Sequence, residues 1–298
     1  MTKPIDHKID FTVVVGVKNA NPNGDPLDGN RPRVNADGLG EISDVALKRK
    51  IRNRWQDADL PVLVQMQERV TDGRMNIRDR VKASEAVAEV LKLDPKKTPD
   101  WKQQFIQAAT DSWIDVRAFG QVLPFKNNGG KDKDGLDGVS IAVRGPVTIQ
   151  AATSIEPVHV KEEQITKSIN LEPGDGKGSD TMGTKAMVPF NVYVFNGSIN
   201  AEQAARTGFS EEDAETLKQA LATLFVNDAS AARPEGSMAV LKLVWWTHSS
   251  KLGKLAPYKV HDATKVSFDK NARTFEEVNV TVDDPHVEGL KAEEIDGF

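Results

Sequence analysis

Cysteine is absent from this chain of 298 residues. Disulfides, thiolate metal sites and cysteine nucleophiles are therefore excluded together, and the absence fits a cytoplasmic setting. Long apolar runs are missing as well. Val240–Trp246, a strongly apolar stretch, is interrupted by Lys242 and falls well short of the roughly 18 residues that span a bilayer, so no membrane partner is expected. Met1–Lys8 is polar and lacks the apolar core of a secretion signal. Histidine is scarce, and His7, His159, His248, His261 and His286 show no metal-ligand spacing.

Nucleotide and metal motifs fail on context. Gly178–Lys185 reads G-S-D-T-M-G-T-K, which reverses the Gly-Lys-Thr order of a phosphate-binding loop and leads into an expected strand instead of a helix. Gly174, Gly176 and Gly178 make no dinucleotide fingerprint for the same reason. Asp132, Asp134 and Asp137 hint at a calcium loop, but Leu136 occupies a ligand position and no distal glutamate follows in register. No nucleophile elbow is present. No cofactor and no catalytic residue are expected.

The formal net charge is −5, which on its face disfavours a nucleic-acid partner. Its distribution is uneven. Residues 1–154 hold 24 Lys and Arg against 21 Asp and Glu, whereas residues 155–298 hold 15 against 23. From Asp269 onward nine acidic residues face three basic ones. Screening over about 8 Å hides distant charge, so an acidic protein can still carry a basic groove.

Hydrophobic patterning gives the order of elements. Ile9–Val17 reads as a buried strand rich in β-branched residues. Asn19–Gly40, dense in Asn, Pro, Gly and Asp, reads as a long ordered loop of the kind that is often functional. Ser43–Gln56 is a helix, with Ser43 as N-cap, Asp44 at the positive helix end, Ile42 stapling to Leu47, and Leu47, Ile51 and Trp55 as its core stripe. Helices are expected over 80–93 and 99–113, and Val116–Phe119 is expected to be extended. Asn127–Gly138 and Lys161–Lys185 read as polar insertions, the latter with a Gly/Asp-rich tip. Strands are expected over Val139–Ile149, broken at Gly145–Pro146, over Val188–Ile199 and over Met238–Trp246, with a helix at Ser210–Val226. The acidic segment after Lys270 reads as peripheral. Without the insertions the order is strand, helix, strand, strand, helix, strand, an α+β, ferredoxin-like (RRM-type) pattern. The aromatics with which such sheets stack on bases are not evident, so the pattern alone does not establish RNA binding.

Two local features suit phosphate. Lys18–Arg33 reads K-N-A-N-P-N-G-D-P-L-D-G-N-R-P-R; its Asn and Gly residues permit positive φ, and successive N–H groups can then converge on an anion. A solvated, turn-rich loop fits the same residues. In the following helix five of the seven residues Lys48–Arg54 are basic, Lys48 and Arg52 flanking one side of the apolar stripe and Lys50 and Arg54 the other. Such a helix can lie along a phosphate backbone, or its long stems can simply cover the edge of the core.

Lys18–Pro26, Gly40–Asp44 and Leu47–Asn53, together with Asp115–Gly120, Ile165–Asn170, Met182–Gly183 and Val188–Phe190, resemble the Cas-seven (Csd-type) backbone subunit of the subtype I-C CRISPR Cascade complex. The resemblance runs from about residue 8 to about residue 250 and thins in the acidic end. It implies a right-hand shape: an RRM-like palm at 8–250, helical fingers inserted at about 57–138, a β-hairpin thumb at about 155–186, and a C-terminal strand and acidic tail at 251–298. It further implies a non-catalytic subunit whose copies stack head to tail along crRNA, displacing a base at intervals and leaving the others free to pair with target DNA. The partners implied are crRNA, target DNA, neighbouring copies of the chain, and the guide-processing and large subunits of Cascade. Carried onto this chain, Lys18, Asn19 and Asn21 meet phosphate at the strand–loop junction, and Ser43, Lys48, Arg49 and Arg52 do so from the helix. Arg117 and Arg144 are palm candidates, unless they pair with buried carboxylates. Lys167 and Met182 fall in the thumb, Met182 as a wedge between bases or as an ordinary packing residue. Related subunits of type III complexes cleave target RNA with an acidic residue in the loop after the first strand, which makes Asp25 and Asp28 the alternative, metal-dependent nuclease reading. The subtype I-C motifs favour turn roles for both.

Overall fold

Ile9–Ala20 forms strand β1, whose Phe11, Val13, Val14, Val15 and Val17 are all fully buried. Continuous burial demands cover on both faces of the strand, and the rest of the chain supplies it. The computed structural model describes residues 3–95, 97–125, 136, 140–166, 182–283 and 290–298.

After β1 come two short paired strands, β2 (Gly24–Asp25) and β3 (Arg31–Pro32), and then β4 (Leu39–Ile42). Helix α1 (Asp44–Asp57) begins as expected, with the Ser43 hydroxyl accepting the Ala46 N–H at 3.3 Å. The helix expected over 80–93 is two helices, α2 (Ile77–Ala83) and α3 (Glu85–Leu91). Ser84 separates them: its backbone is extended, and its hydroxyl accepts the Val87 N–H at 3.4 Å, so it serves as the cap of α3. Helix α4 (Trp101–Ser112) follows.

Val116–Phe119 is not extended but lies within α5 (Ile114–Phe119). Arg117 holds this turn against Asp213 on one side, and the Asp115 carboxylate accepts the N–H groups of Leu63 and Val64 on the other. Gly120, at φ 75°, ends it. Strands β5 (Gly120–Pro124) and β6 (Ser140–Arg144) pair with each other, and β7 (Val147–Ile149) resumes after the expected break at Gly145–Pro146.

Strands β8 (Ala152–Pro157), β9 (Lys161–Thr166) and the 18-residue β10 (Met182–Ile199) come next, followed by α6 (Ala201–Thr207), α7 (Glu211–Ala222) and β11 (Met238–Thr247). The chain closes with α8 (Pro257–His261), β12 (Thr264–Ser267), β13 (Asn279–Val282) and β14 (Ala292–Asp296).

The architecture mixes helices with an antiparallel sheet in the order β14-β11-β1-β10-β8-β4, with β7 and β9 also paired to β10. Phe11, Val13, Val15 and Val17 on β1 share a core with Leu47, Ile51 and Trp55 of α1 and Leu217 and Leu221 of α7. A second core gathers Val81, Val87, Trp101, Phe105 and Trp113 among α2–α4 and their flanks.

The other face of the sheet is closed by the C-terminal segment. Val260, Ala263 and Leu290 cover Val244 and Trp246, while Phe275 lies over Gly16, where a Cβ would meet its ring at 2.6 Å. Within the acidic end, Ala292–Asp296 adds an edge strand to β11. No helix among the described residues is long and apolar enough to cross a membrane.

Candidate nucleic-acid interface

The loop after β1 takes the conformations that its composition suggests. Asn19, Gly29 and Asn30 have φ of 51°, 54° and 61°, a region that Asn and Gly enter at low cost. Asn21 is buried, and its amide donates to the Asn30 carbonyl at 2.6 Å, closing the loop at its neck. The Asp25 carbonyl accepts the N–H groups of Asp28 and Asn30, and its carboxylate accepts the Leu27 N–H at 3.0 Å. Asn23 reaches outward, its Oδ1 accepting the Ser43 N–H at 2.9 Å, so the loop is fixed to the start of α1. On the opposite side, the Lys18 and Asn21 N–H groups each donate at 2.8 Å to carbonyls of Ser237 and Ala232.

The two basic flanks of α1 meet different surroundings. Lys48 pairs with Asp44 at 2.9 Å, and Arg52 donates to Asp115 at 2.8 Å; both cations also lie over the Phe119 ring of α5. On the other flank, Lys50 pairs with Asp228, which also accepts from Arg233 at 3.2 Å. Arg49 donates to the Val64 carbonyl at 2.7 Å and has no carboxylate partner among the described residues. Burial, reinforced by the neighbouring charge of Arg52 and only partly offset by that of Asp115, holds its pKa below the usual arginine value. A bound anion would relieve both effects.

A cleft of about 390 Å³ opens beside this flank. The Asn/Gly loop contributes Pro22, Asn23, Gly24 and Asn30, and α1 contributes Ala46, Arg49, Lys50 and Asn53. Met66, Glu68 and Arg69 approach from the segment after α1, and Asn227–Ser230 and Arg233 from the loop after α7. Four cations and two carboxylates line one concave site; Lys50 and Arg233 share Asp228, and Arg69 is paired with Asp57, which leaves Arg49 as the lining cation without an ion pair among the described residues. Arrays of this kind suit a phosphodiester strand.

The expected site residues divide. Arg49 lines the cleft; Ser43 and Asn21 brace its loop; Lys18 and Asn19 stand at the junction of β1 with that loop. Lys48 and Arg52 face α5 instead. Arg117 makes a two-point contact with Asp213 at 2.8 and 2.7 Å and donates to the Thr110 carbonyl, so its guanidinium joins α5 to α7. Arg144 is exposed on β6. Met182 is exposed where β10 pairs with β9, and Lys167 lies outside the described residues.

Asp25 and Asp28 lie 3.7 Å from Arg33 and Arg31 respectively, and among the described residues no group of three His, Asp or Glu is placed to hold a metal. Arg69 and Arg233 were not legible as site residues. Each is an isolated cation in a turn-rich segment, brought to the cleft only by long-range contacts.

A family model described as CRISPR-associated protein Cas7 matches residues 7–283. The chain belongs to the Cas7 family. A relative from Haloferax volcanii, itself named CRISPR-associated protein Cas7, is 29% identical over 221 residues, which cover 71% of this chain and 62% of the relative. The chain thus spans less than two thirds of that relative's length.

Two solved structures align over 80% of this Cas7-family chain. A chain of a structure titled "CRISPR RNA-guided surveillance complex, pre-nicking" does so at TM-score 0.44 and 12% identity, with 78% of its own length covered. A chain of one titled "CRISPR RNA-guided surveillance complex" does so at TM-score 0.39 and 15% identity, with 68% covered.

Proposed function

We propose that this Cas7-family chain is the backbone subunit of a CRISPR RNA-guided surveillance complex of the subtype I-C kind, acting in cytoplasmic antiviral defence. It grips the sugar–phosphate backbone of crRNA and catalyses no reaction. Copies stack along the guide, present its bases to target DNA, and join the guide-processing and large subunits. Specificity then comes from base pairing, while the protein supplies phosphate contacts.

One observation carries this reading: the Asn/Gly loop, hydrogen-bonded to the start of α1 through Asn23 and Ser43, opens beside a cleft lined by Arg49, Lys50, Arg69 and Arg233.

The shape expected of the family finds support in the arrangement of elements. β1 and β10 are central, β11 and β8 flank them, and α1 and α7 follow β1 and β10, as a ferredoxin-like palm requires. The helical cluster around Trp101 and Phe105 suits fingers, and the exposed pairing of Lys161–Thr166 with Met182–Met187 suits the base of a thumb.

The test is titration of the purified chain with long single-stranded RNA, read by analytical ultracentrifugation. RNA-dependent oligomers that grow with RNA length are expected. A chain that stays monomeric on saturating RNA would sink the filament reading.

A further inference from the structure

Gly16 lies inside β1, where a glycine weakens the strand unless another group needs the space. Phe275 is that group: a Cβ on Gly16 would come within 2.6 Å of its ring and 3.1 Å of the Leu241 side chain. Phe275 belongs to the connector 268–278 between β12 and β13. The connector lies on the sheet face away from α1 and α7, the face that RNA-binding sheets of ferredoxin-like type leave open.

Both ends of the connector are fastened there. Phe275 tilts against Phe190 of β10 with ring centroids 6.1 Å apart, and Phe268 meets the same ring edge-on at 5.6 Å. Between them, the Glu277 carboxylate accepts the N–H groups of Arg273 and Thr274 at 2.8 and 2.9 Å and the Thr274 hydroxyl at 3.0 Å. These bonds close a tight turn, and Ala272 within the connector is buried. The connector is a folded cover.

This cover brings negative charge to Lys18. Lys18 pairs with Phe190 across the β1–β10 ladder and lies two residues beyond Gly16, so strand alternation puts its side chain on the covered face. Glu276 directly follows Phe275 and is exposed. Hydrogen bonds from its own N–H and from the Thr274 hydroxyl hold the Glu276 carboxyl below the usual glutamate range, and the Lys18 charge lowers it further. A carboxylate fixed in the field of a cation weakens that field for an arriving phosphate and repels the phosphate itself.

We propose that Glu276 is an internal competitor for nucleic-acid phosphate: the connector 268–278 holds its carboxylate in the field of Lys18 and raises the threshold for strands that make few other contacts. This rests on the reading of Lys18 as a phosphate contact and adds to it a specificity element from the C-terminal segment.

The test measures, by fluorescence anisotropy at low salt, the affinity of the full chain for a labelled single-stranded oligouridylate. Four forms are compared: native, Glu276→Gln, Lys18→Met and the double variant. Glu276→Gln is expected to tighten binding about two- to five-fold, the scale of one exposed charge pair, and the gain should fade as salt rises. In the Lys18→Met background the same change should gain nothing. Glutamine keeps the acceptor and the size of an exposed side chain, so the fold does not depend on this substitution.

Native affinity in Glu276→Gln, with Lys18→Met binding more weakly than native, overturns the competitor and leaves the phosphate contact standing. An equal gain with and without Lys18 also overturns it, because the carboxylate then acts only through overall charge. Native affinity in Lys18→Met, or failure of the native chain to bind the strand, overturns the reading of Lys18 and the inference with it.

Discussion

Asn23 Oδ1 accepts the backbone N–H of Ser43 at 2.9 Å, so the side chain of a loop residue satisfies the N–H of the residue that caps α1. Asn23→Ala leaves that N–H without its partner and frees the loop. It should cost about 1 kcal/mol in urea melts and weaken RNA binding. Asn23→Asp keeps the acceptor and adds negative charge beside the cleft. It should hold near-native stability yet bind RNA worse, which separates bracing from charge. Native affinity in both variants would remove the loop from the interface.

Arg49 and Lys48 are neighbours in sequence with different surroundings. Lys48 is paired with Asp44, while Arg49 lines the cleft with no ion pair among the described residues. Arg49→Ala should therefore weaken single-stranded RNA binding more than Lys48→Ala, for all sequences alike. It should also reduce the slope of log affinity against log salt by about 0.7, the value of one lost phosphate contact. The check is a salt titration of both variants. An unchanged slope in Arg49→Ala would show that the guanidinium serves only Val64.

Asp28 lies beside Arg31, and the Asp25 carboxylate accepts the Leu27 N–H, so both serve the shape of the loop. The assembled complex, given Mg²⁺ and complementary RNA, should leave that RNA intact, and Asp28→Ala should change nothing in the gel. Regularly spaced cuts that vanish in Asp28→Ala would replace a structural grip with a nuclease.

The legible parts of the fold were those encoded locally. β1 announced itself by its β-branched run, and α1 by Ser43 and the spacing of Leu47, Ile51 and Trp55. The site was half legible, because the Asn/Gly loop and Arg49 lie in one continuous stretch. The opposite wall was not. Asp228 and Lys50 are 178 residues apart, and nothing near Asp228 marks it as the partner of a buried lysine. The turn at Val116–Phe119 misled for the same reason: its short apolar run suits a strand, and its helical form depends on Asp115 and Arg117 reaching Leu63 and Asp213.

Asp228 is the one carboxylate paired with Lys50 among the described residues; the Lys50 side chain is only 6% exposed, and burial lowers its pKa despite that partner. Asp228→Ala strands a buried ammonium and should cost roughly 3 kcal/mol, read by urea melts. Lys50→Met in the same chain should restore much of the loss, since an apolar side chain of similar length needs no partner. A double variant no more stable than Asp228→Ala would show that Asp228 acts through Arg233 alone.

The central strands meet at a buried carboxylate. Asp10 on β1 accepts from Lys8 Nζ at 2.7 Å, Ser198 Oγ at 2.5 Å and His248 Nε2 at 2.8 Å, with His261 nearby. The His248 tautomer is set by its other nitrogen, since Nδ1 accepts the Lys254 N–H at 3.0 Å. Burial pushes the Asp10 pKa up, but the hydrogen bonds from His248, Lys8 and Ser198 and the Lys8 charge outweigh it, and the net shift is downward. His261 is also shifted down, chiefly by burial, against the opposing pull of Asp10. For both groups the unfolded chain binds more protons, so stability rises with pH through each window. The His261 contribution is complete above its ordinary value of 6.5 and is lost as pH falls below it; the Asp10 contribution is complete above 3.8 and is lost below that. Urea midpoints taken across the acid range should fall in two stages, and His261→Gln should remove the first. Asp10→Asn should lower stability already at neutral pH, because Lys8 loses its charge partner, and should flatten the second stage. A second stage of native depth in Asp10→Asn would assign the acid loss to other carboxylates.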